Sequence, residues 1–510
     1  MRYCFISLLA VLWVAAASAP ALGQAPGAAS KPDPLTANLS ALEAAGDSND
    51  WETLIVHADA LIALEEFSRQ PAGLIGWVTA SKGYAHWQLD QLDAALEAFA
   101  AAEEVGGAIL VPVYYWRGTL HYFEEDWRAA QQDFVRLAPL SAEYFSSPDP
   151  RFYFRILNGL EEAEERTLER DLLEALTERY EPELAFTSIE GFRLRLARIL
   201  AREGEHRAAL VQFQSILSGQ LRASMRTEII FEPLWSRDTF DILTDVRSGA
   251  EASLARAERD AQAHPDYLEP VNDQIEELLV LGRFAEAEAR AQAAIAEDDR
   301  VAYYDSVDHL NWTMNLLANA LYAQGEVTEG NRVMAAAAQL EELGMSNVSQ
   351  VINLASIHNG QGRHSEALDI FAGLTPDMAS PYGNMWIRAG RACAMLGLNR
   401  HSEAQTLVPS ILEDWRDNAA AAQMVTLCLD DHDSAVALMV ERLGDQRHAP
   451  DALAALQEYQ SLYPRQSFPF RSMLRDRFDR LRRSDDVLAA VDTVGRIERF
   501  EIVNAYWGGY

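Results

Sequence analysis

Between Leu92 and Phe99 the chain reads Leu-Asp-Ala-Ala-Leu-Glu-Ala-Phe, with apolar positions at Leu92, Ala95, Leu96 and Phe99. Steps of three and four are the period of an amphipathic helix. Gly83 stands twelve residues before Ala95, and Phe99 four after it. The pattern returns 35 residues later, with Gly118, Ala130 and Phe134 in the same places and Trp127 opening the run. Two antiparallel helices account for it. The small residue on the first helix (Gly83, Gly118) and the Ala on the second let the backbones approach closely, and Phe99 and Phe134 fill the gap to the next pair. Further copies keep the phase: Gly204 to Ala209 and Phe213, Gly282 to Ala287, Gly325 to Gly330 and Met334, Gly362 to Ala367 and Phe371, Asn399 to Ala404 and Val408. Gly330, Ala367 and Ala404 are 37 residues apart each time, so the turns there are slightly longer.

Seven such copies resemble the tetratricopeptide repeat (TPR) family, whose unit is about 34 residues. The resemblance implies an all-α fold: a right-handed superhelical solenoid of TPR-like antiparallel helix pairs with a helical C-terminal cap. It is nearly silent on function, because such repeats serve many partners.

Taken in order, residues 1–23 read as a secretory signal peptide. Arg2 supplies the positive start, Phe5 to Ala17 the apolar run, and Ala21-Leu22-Gly23 a small-x-small cleavage site before Gln24. Cys4 precedes the apolar run, whereas the lipidated Cys of a lipoprotein signal follows it. No later stretch is long and apolar enough to span a bilayer. The expected location is periplasmic or secreted. Residues 24–36 form a flexible Ala, Pro and Gly-rich lead-in, and 37–145 hold N-terminal TPR-like repeats. Residues 146–270 hold a helical segment, one TPR-like repeat and an irregular linker, with Phe152 to Tyr180 reading as helix. Residues 271–446 carry the C-terminal repeats, and 447–510 a helical capping region with a polar outer face. Phe231 to Phe240 resembles a short linker in TPR regions of bacterial cyclase-type and transcriptional sensor proteins, and Arg475 to Leu481 looks like the same element. The chain leaves no room for the cyclase or DNA-binding domain of those proteins.

The net charge of −34 argues against a nucleic-acid partner, whose phosphates would be repelled. Past the signal segment only Cys393 and Cys428 remain, 35 residues apart. They could pair across neighbouring units; the expected state is two buried thiols serving as small apolar residues. The chain has no His-Glu-x-x-His, no Gly-x-Ser-x-Gly and no Gly-Lys-Ser/Thr loop. No catalytic residue, cofactor or metal is therefore expected. The densest ligand cluster, Asp430-Asp431-His432-Asp433, reads as a turn with an Asp capping the helix at Ser434-Ala435. Asp308 reads as a cap for the Leu310 helix.

In TPR proteins the first helix of each pair lines the concave face, and ligand contacts fall at fixed offsets before the Ala. Those offsets select Trp312, Asn315, Asn319 and Tyr322, then Asn353, Ser356 and Asn359, and then Trp386. A secondary set in the first repeats is Trp77, Tyr84, Trp87, Tyr115 and Tyr122. An Asn amide donates and accepts at once, so it can hold a peptide backbone whatever its side chains. Trp and Tyr add rigid apolar area with a polar edge. The expected function is an exported, non-catalytic scaffold binding a protein or extended peptide in this groove. Two other readings stay open. One is a self-assembling protein whose aromatic end, Ala505 to Tyr510, docks in another copy's groove. The other is an enzyme whose site is assembled from scattered residues.

Overall fold

The computed structural model describes residues 33–182, 184, 186–296, 306–342 and 345–504. The signal segment, most of the lead-in and the tail from Ala505 lie outside them. The chain divides into two compact units, with the second beginning at Phe186.

In the first unit the helices are α1 (Pro34–Ser48), α2 (Trp51–Ile62), α3 (Ala72–Gln88), α4 (Leu92–Val105), α5 (Leu110–Phe123), α6 (Trp127–Leu137), α7 (Ala142–Ser146), α8 (Pro150–Glu162) and α9 (Arg166–Arg179). The second unit opens with α10 (Glu190–Arg202), α11 (His206–Phe213), α12 (Gly219–Thr227), α13 (Asp238–Leu243) and α14 (Val246–Ala263). Its repeats continue with α15 (Glu269–Val280), α16 (Phe284–Ala296), α17 (Ser306–Ala323), α18 (Val327–Ala337), α19 (Val348–Gly360), α20 (His364–Ala372), α21 (Pro381–Gly397), α22 (His401–Glu413), α23 (Ala419–Leu429) and α24 (His432–Gly444). It closes with α25 (Ala449–Ala455), α26 (Pro469–Arg482) and α27 (Asp485–Val494). The strands are short: β1 (Glu341–Glu342) pairs antiparallel with β2 (Met345–Ser346), and β3 (Glu458–Gln460) pairs parallel with β4 (Arg499–Val503).

Each unit is a stack of TPR-like helix hairpins, and one backbone feature marks every copy. A residue in the left-handed region sits two positions before the second helix. Asn49, Asp90, Glu125, Glu164, Gly204, Gly282, Gly325, Gly362, Asn399 and Asp430 all have φ between 55° and 86°. That conformation ends the first helix and turns the chain back at once. The close approach inferred for the small residues is present. A Cβ on Gly83 would lie 2.9 Å from the Phe99 ring, and one on Gly118 would lie 3.0 Å from Phe134. Ala95, Ala130, Ala209, Ala287, Ala367 and Ala404 are fully buried, as are Phe99, Phe134, Phe213 and Phe371. Each such aromatic ring contributes about 1.5–3 kcal/mol by leaving water.

Several expectations change. The stretch from Phe152 to Tyr180 is a hairpin, α8 and α9, turned at Glu164. The helix expected at Leu310, α17, runs from Ser306, and the side chain of Asp308 lies outside the described residues. Phe231 to Phe240 forms a short 3-10 turn over Ile229–Leu234 and then α13, whereas Arg475 to Leu481 lies within the continuous helix α26, so the two are different elements. Asp431 does cap α24, its carboxylate accepting from Ser434 N at 3.1 Å.

Cys393 and Cys428 are bonded to each other, which corrects the expectation of two free thiols. Their helices, α21 and α23, are the first helices of adjacent hairpins and pack side by side. That brings the two Cα atoms to 5.4 Å, inside the range a disulfide spans. A separation of one repeat was the signal for it.

A candidate binding cavity in the second unit

The first helices α17, α19 and α21 present successive faces to one interior space. Local chemistry sets where two of them begin. Asn347 caps α19 through Gln350 N at 3.2 Å, and Ser380 caps α21 through Gly383 N at 3.2 Å with Pro381 in the first turn. The opposite wall comes from the C-terminal segment. After α24 the chain does not end in an outward cap; it returns across the inner face of its own repeats.

Named contacts hold it there. Tyr463 donates its hydroxyl to Asn319 Oδ1 at 2.9 Å. Phe468 is buried, its ring 5.4 Å from that of Tyr322. Arg477 Nη1 donates to the carbonyls of Leu427 at 2.6 Å and Cys428 at 3.0 Å, where the C-terminal end of α23 favours positive charge. Leu474, Phe478 and Leu481 of α26 join the core that contains the disulfide. Further on, Glu498 pairs with Arg226 of α12 at 2.9 Å, and the Arg496 guanidinium lies 3.8 Å from the centroid of the Trp235 ring. The segment thus ties the last hairpins of the unit to its opening helices. It encloses a cavity of about 890 Å³.

Asn315, Asn319, Asn353, Ser356, Asn359 and Trp386 all line this cavity. Their states differ. Asn319, Asn353, Ser356 and Trp386 are half-buried. Asn315 is 7 % exposed and accepts a long hydrogen bond from Asn319 Nδ2 at 3.4 Å. Asn359 is spent inside the fold: its Nδ2 donates to Gly390 O at 2.9 Å, and its Oδ1 meets His364 Nδ1 at 3.0 Å. It ties α19 to α21 instead of facing a ligand. The Trp386 indole N–H is buried with no acceptor. Tyr322 is a correction. It is fully buried against Phe468 and donates to Asn331 at 2.9 Å, and burial pushes its hydroxyl well above the usual phenol range. Trp312 is half-buried and stands outside the cavity lining.

The aromatic set of the first unit packs against neighbouring rings. Trp77 is buried. Tyr84 packs on Trp51, Trp87 and Trp116 at centroid distances of 5.1–5.8 Å. Tyr115 meets Phe134 and Tyr144, and Tyr122 stacks on Phe152 at 3.9 Å. These rings form the seam between successive hairpins.

Sequence reasoning missed the cavity's second wall. Arg471, Leu474, Arg475 and Phe478 share one face of α26 at helical spacing. Two guanidiniums interleaved with two apolar residues on an inward face was the available signal. Among the described residues no group of His, Cys, Asp and Glu is placed to hold a metal ion, and no helix is long and apolar enough to cross a membrane.

No known family's sequence profile matches the chain, and no curated protein matches it. Among solved structures it is similar to yeast Tom70, with 13% identity over 90% of this chain and 99% of that one and a TM-score of 0.30. It is also similar to the TPR domain of P58(IPK), with 13% identity over 72% of this chain and 99% of that domain and a TM-score of 0.19. The fold assignment rests on the hairpins described above.

Proposed function

We propose that the chain is an exported, non-catalytic scaffold that binds a short extended segment of a protein partner against the inner face of the second unit's repeats. The observation that carries this reading is the convergence of Asn319, Asn353, Ser356 and Trp386, from three successive first helices, on one cavity. Side-chain amides and a hydroxyl at a spacing set by the repeat suit a peptide backbone, whose donors and acceptors also recur. The cavity's volume lies within the roughly 300–1,000 Å³ of sites that enclose small ligands, so only a few residues of the partner enter. Export is supported by the signal-like start of the chain and by the Cys393–Cys428 disulfide, a bond that persists in oxidising compartments.

The test uses two baits in envelope extract: residues 24–510, and the same chain carrying Asn353→Ala with Trp386→Ala. The reading expects a protein retained by the first and lost by the second at unchanged helicity, with the retained segment traced by cross-linking to the cavity. Equal retention by both baits removes the cavity from the binding surface.

A further inference from the structure

Six arginines and three carboxylates line the cavity, within a chain whose net charge is −34. Some of these arginines are committed to the fold. Arg482 donates to the carbonyls of Leu456 at 3.4 Å and Gln457 at 3.3 Å and pairs with Asp479. Arg442 donates to Gln423 Oε1 at 3.4 Å. Arg471 is different. Its guanidinium stands 4.1 Å from the centroid of the Tyr463 ring, and it pairs with no carboxylate among the described residues. Its Nη1 is buried without an acceptor, so part of its five-donor fork is unspent.

Arg475 follows one helical turn later on the same face, half-buried, and donates to Ser461 Oγ. Burial, and then the positive charges of Arg471 and Arg465, push its guanidinium below the usual range, against a smaller opposing pull from Asp479 and Asp476. Two guanidiniums at i and i+4 repel one another, more strongly in a partly buried wall than in water. A carboxylate between them relieves that repulsion and matches the planar fork with paired hydrogen bonds. Tyr463 contributes indirectly. It is anchored to Asn319 and holds Arg471 by stacking, so it acts as a positioning residue.

We infer that the cavity binds an acidic peptide segment, with a side-chain carboxylate seated between Arg471 and Arg475 and the peptide backbone against Asn319, Asn353 and Ser356. This rests on the peptide-binding reading above and adds the partner's chemistry to it. The protein's overall charge makes the inference sharp, because an acidic probe is repelled by the rest of the surface.

The test is calorimetric titration of the full chain with an acetylated, amidated (Glu-Ala)3 peptide, its (Gln-Ala)3 counterpart, and citrate. The Glu peptide is expected to bind at least tenfold more tightly than the Gln peptide, and R471Q to remove that advantage. R471Q also loses the stacking on Tyr463, so the unaltered chain supplies a second readout. Phenylglyoxal labelling of Arg471, followed by mass spectrometry, should be slowed by the Glu peptide and not by the Gln peptide. The exposed Arg207 should be labelled at one rate throughout. Protection of Arg471 by citrate alone overturns the peptide source and assigns the site to a free small carboxylate. No protection by either ligand, or binding unchanged in R471Q, overturns the site itself. Failure of the underlying reading is separate: the Asn353→Ala, Trp386→Ala chain would retain the partner while the Glu peptide still protected Arg471.

Discussion

Reducing the Cys393–Cys428 bond should loosen the last two hairpins and leave the first unit unaffected. The bond closes a loop over a sequence separation of 35 residues. For a loop of that length the chain-entropy relation gives about 12.7 cal/mol/K, or about 3.8 kcal/mol at 25 °C. Both cysteines are buried, at 1% and 6% exposure, so the native state keeps its packing when the bond opens and the loss falls on the opened state. The returning segment links these hairpins to the rest of the second unit, so the loss is largest at the two hairpins that the bond joins and lies within that unit. The assay is native-state hydrogen exchange with peptide-resolved mass spectrometry, on the oxidised chain and on the chain held in a phosphine reductant. The slowest amides of α21, α23 and α24 should exchange faster by up to about 600-fold, the factor that corresponds to about 3.8 kcal/mol. Amides of α5 and α6 should not change. Unaltered exchange in α23 after complete reduction would refute the argument. It would mean that the Arg477 hydrogen bonds to Leu427 and Cys428, with the packing of α26, already fix the loop.

Three other perturbations follow from named contacts. Glu277 on α15 has Oε2 buried without a partner, and burial raises its carboxyl to about 7. A folded-state pKa above the unfolded one gives stability that is whole below about pH 4.5 and lost as pH rises to about 7. Glu277→Gln should therefore flatten the fall in urea midpoint over that window and stabilise the protein at pH 8, by at most about 3 kcal/mol. In the first unit Arg117 holds Asp133 with two hydrogen bonds, 2.9 and 2.7 Å, and Glu103 with a third at 2.7 Å. Arg117→Ala leaves the buried Asp133 carboxylate alone and should cost about 3 kcal/mol in urea unfolding. Glu164 turns its hairpin at φ 57° without glycine, so Glu164→Gly should raise the unfolding midpoint by the equivalent of about 1 kcal/mol.

The repeat was legible because its constraints are local. Gly83 against Phe99, and Gly118 against Phe134, are close approaches that only small residues permit, and they recur at fixed offsets. One hairpin escaped for an equally local reason. The α8–α9 pair carries Glu169 where most pairs carry a small residue, so Phe152 to Tyr180 reads as one continuous helix, whereas the α1–α2 pair, with Leu54 there, falls within the expected N-terminal repeats. The Asp-rich turn of the α23–α24 pair was legible as a turn between helices with a capping Asp, and Asp431 does cap α24. The groove offsets found one wall of the cavity because they count along the same repeat. They could not separate Asn319, which faces the cavity, from Tyr322, which the returning segment covers. That cover depends on residues such as Tyr463, 144 positions away from Asn319. No period connects them, and the segment's Arg-rich helix has the composition of an ordinary surface cap.

The most direct test of the account is hydrogen exchange of the full chain with and without the partner segment recovered by capture. Binding in the cavity predicts slowed exchange in the inner helices α17 and α19 and in the returning stretch around Tyr463 to Arg475, with the outer helices α18 and α20 unchanged. Protection confined to α18 and α20, with the inner helices and the returning stretch unaffected, would contradict it.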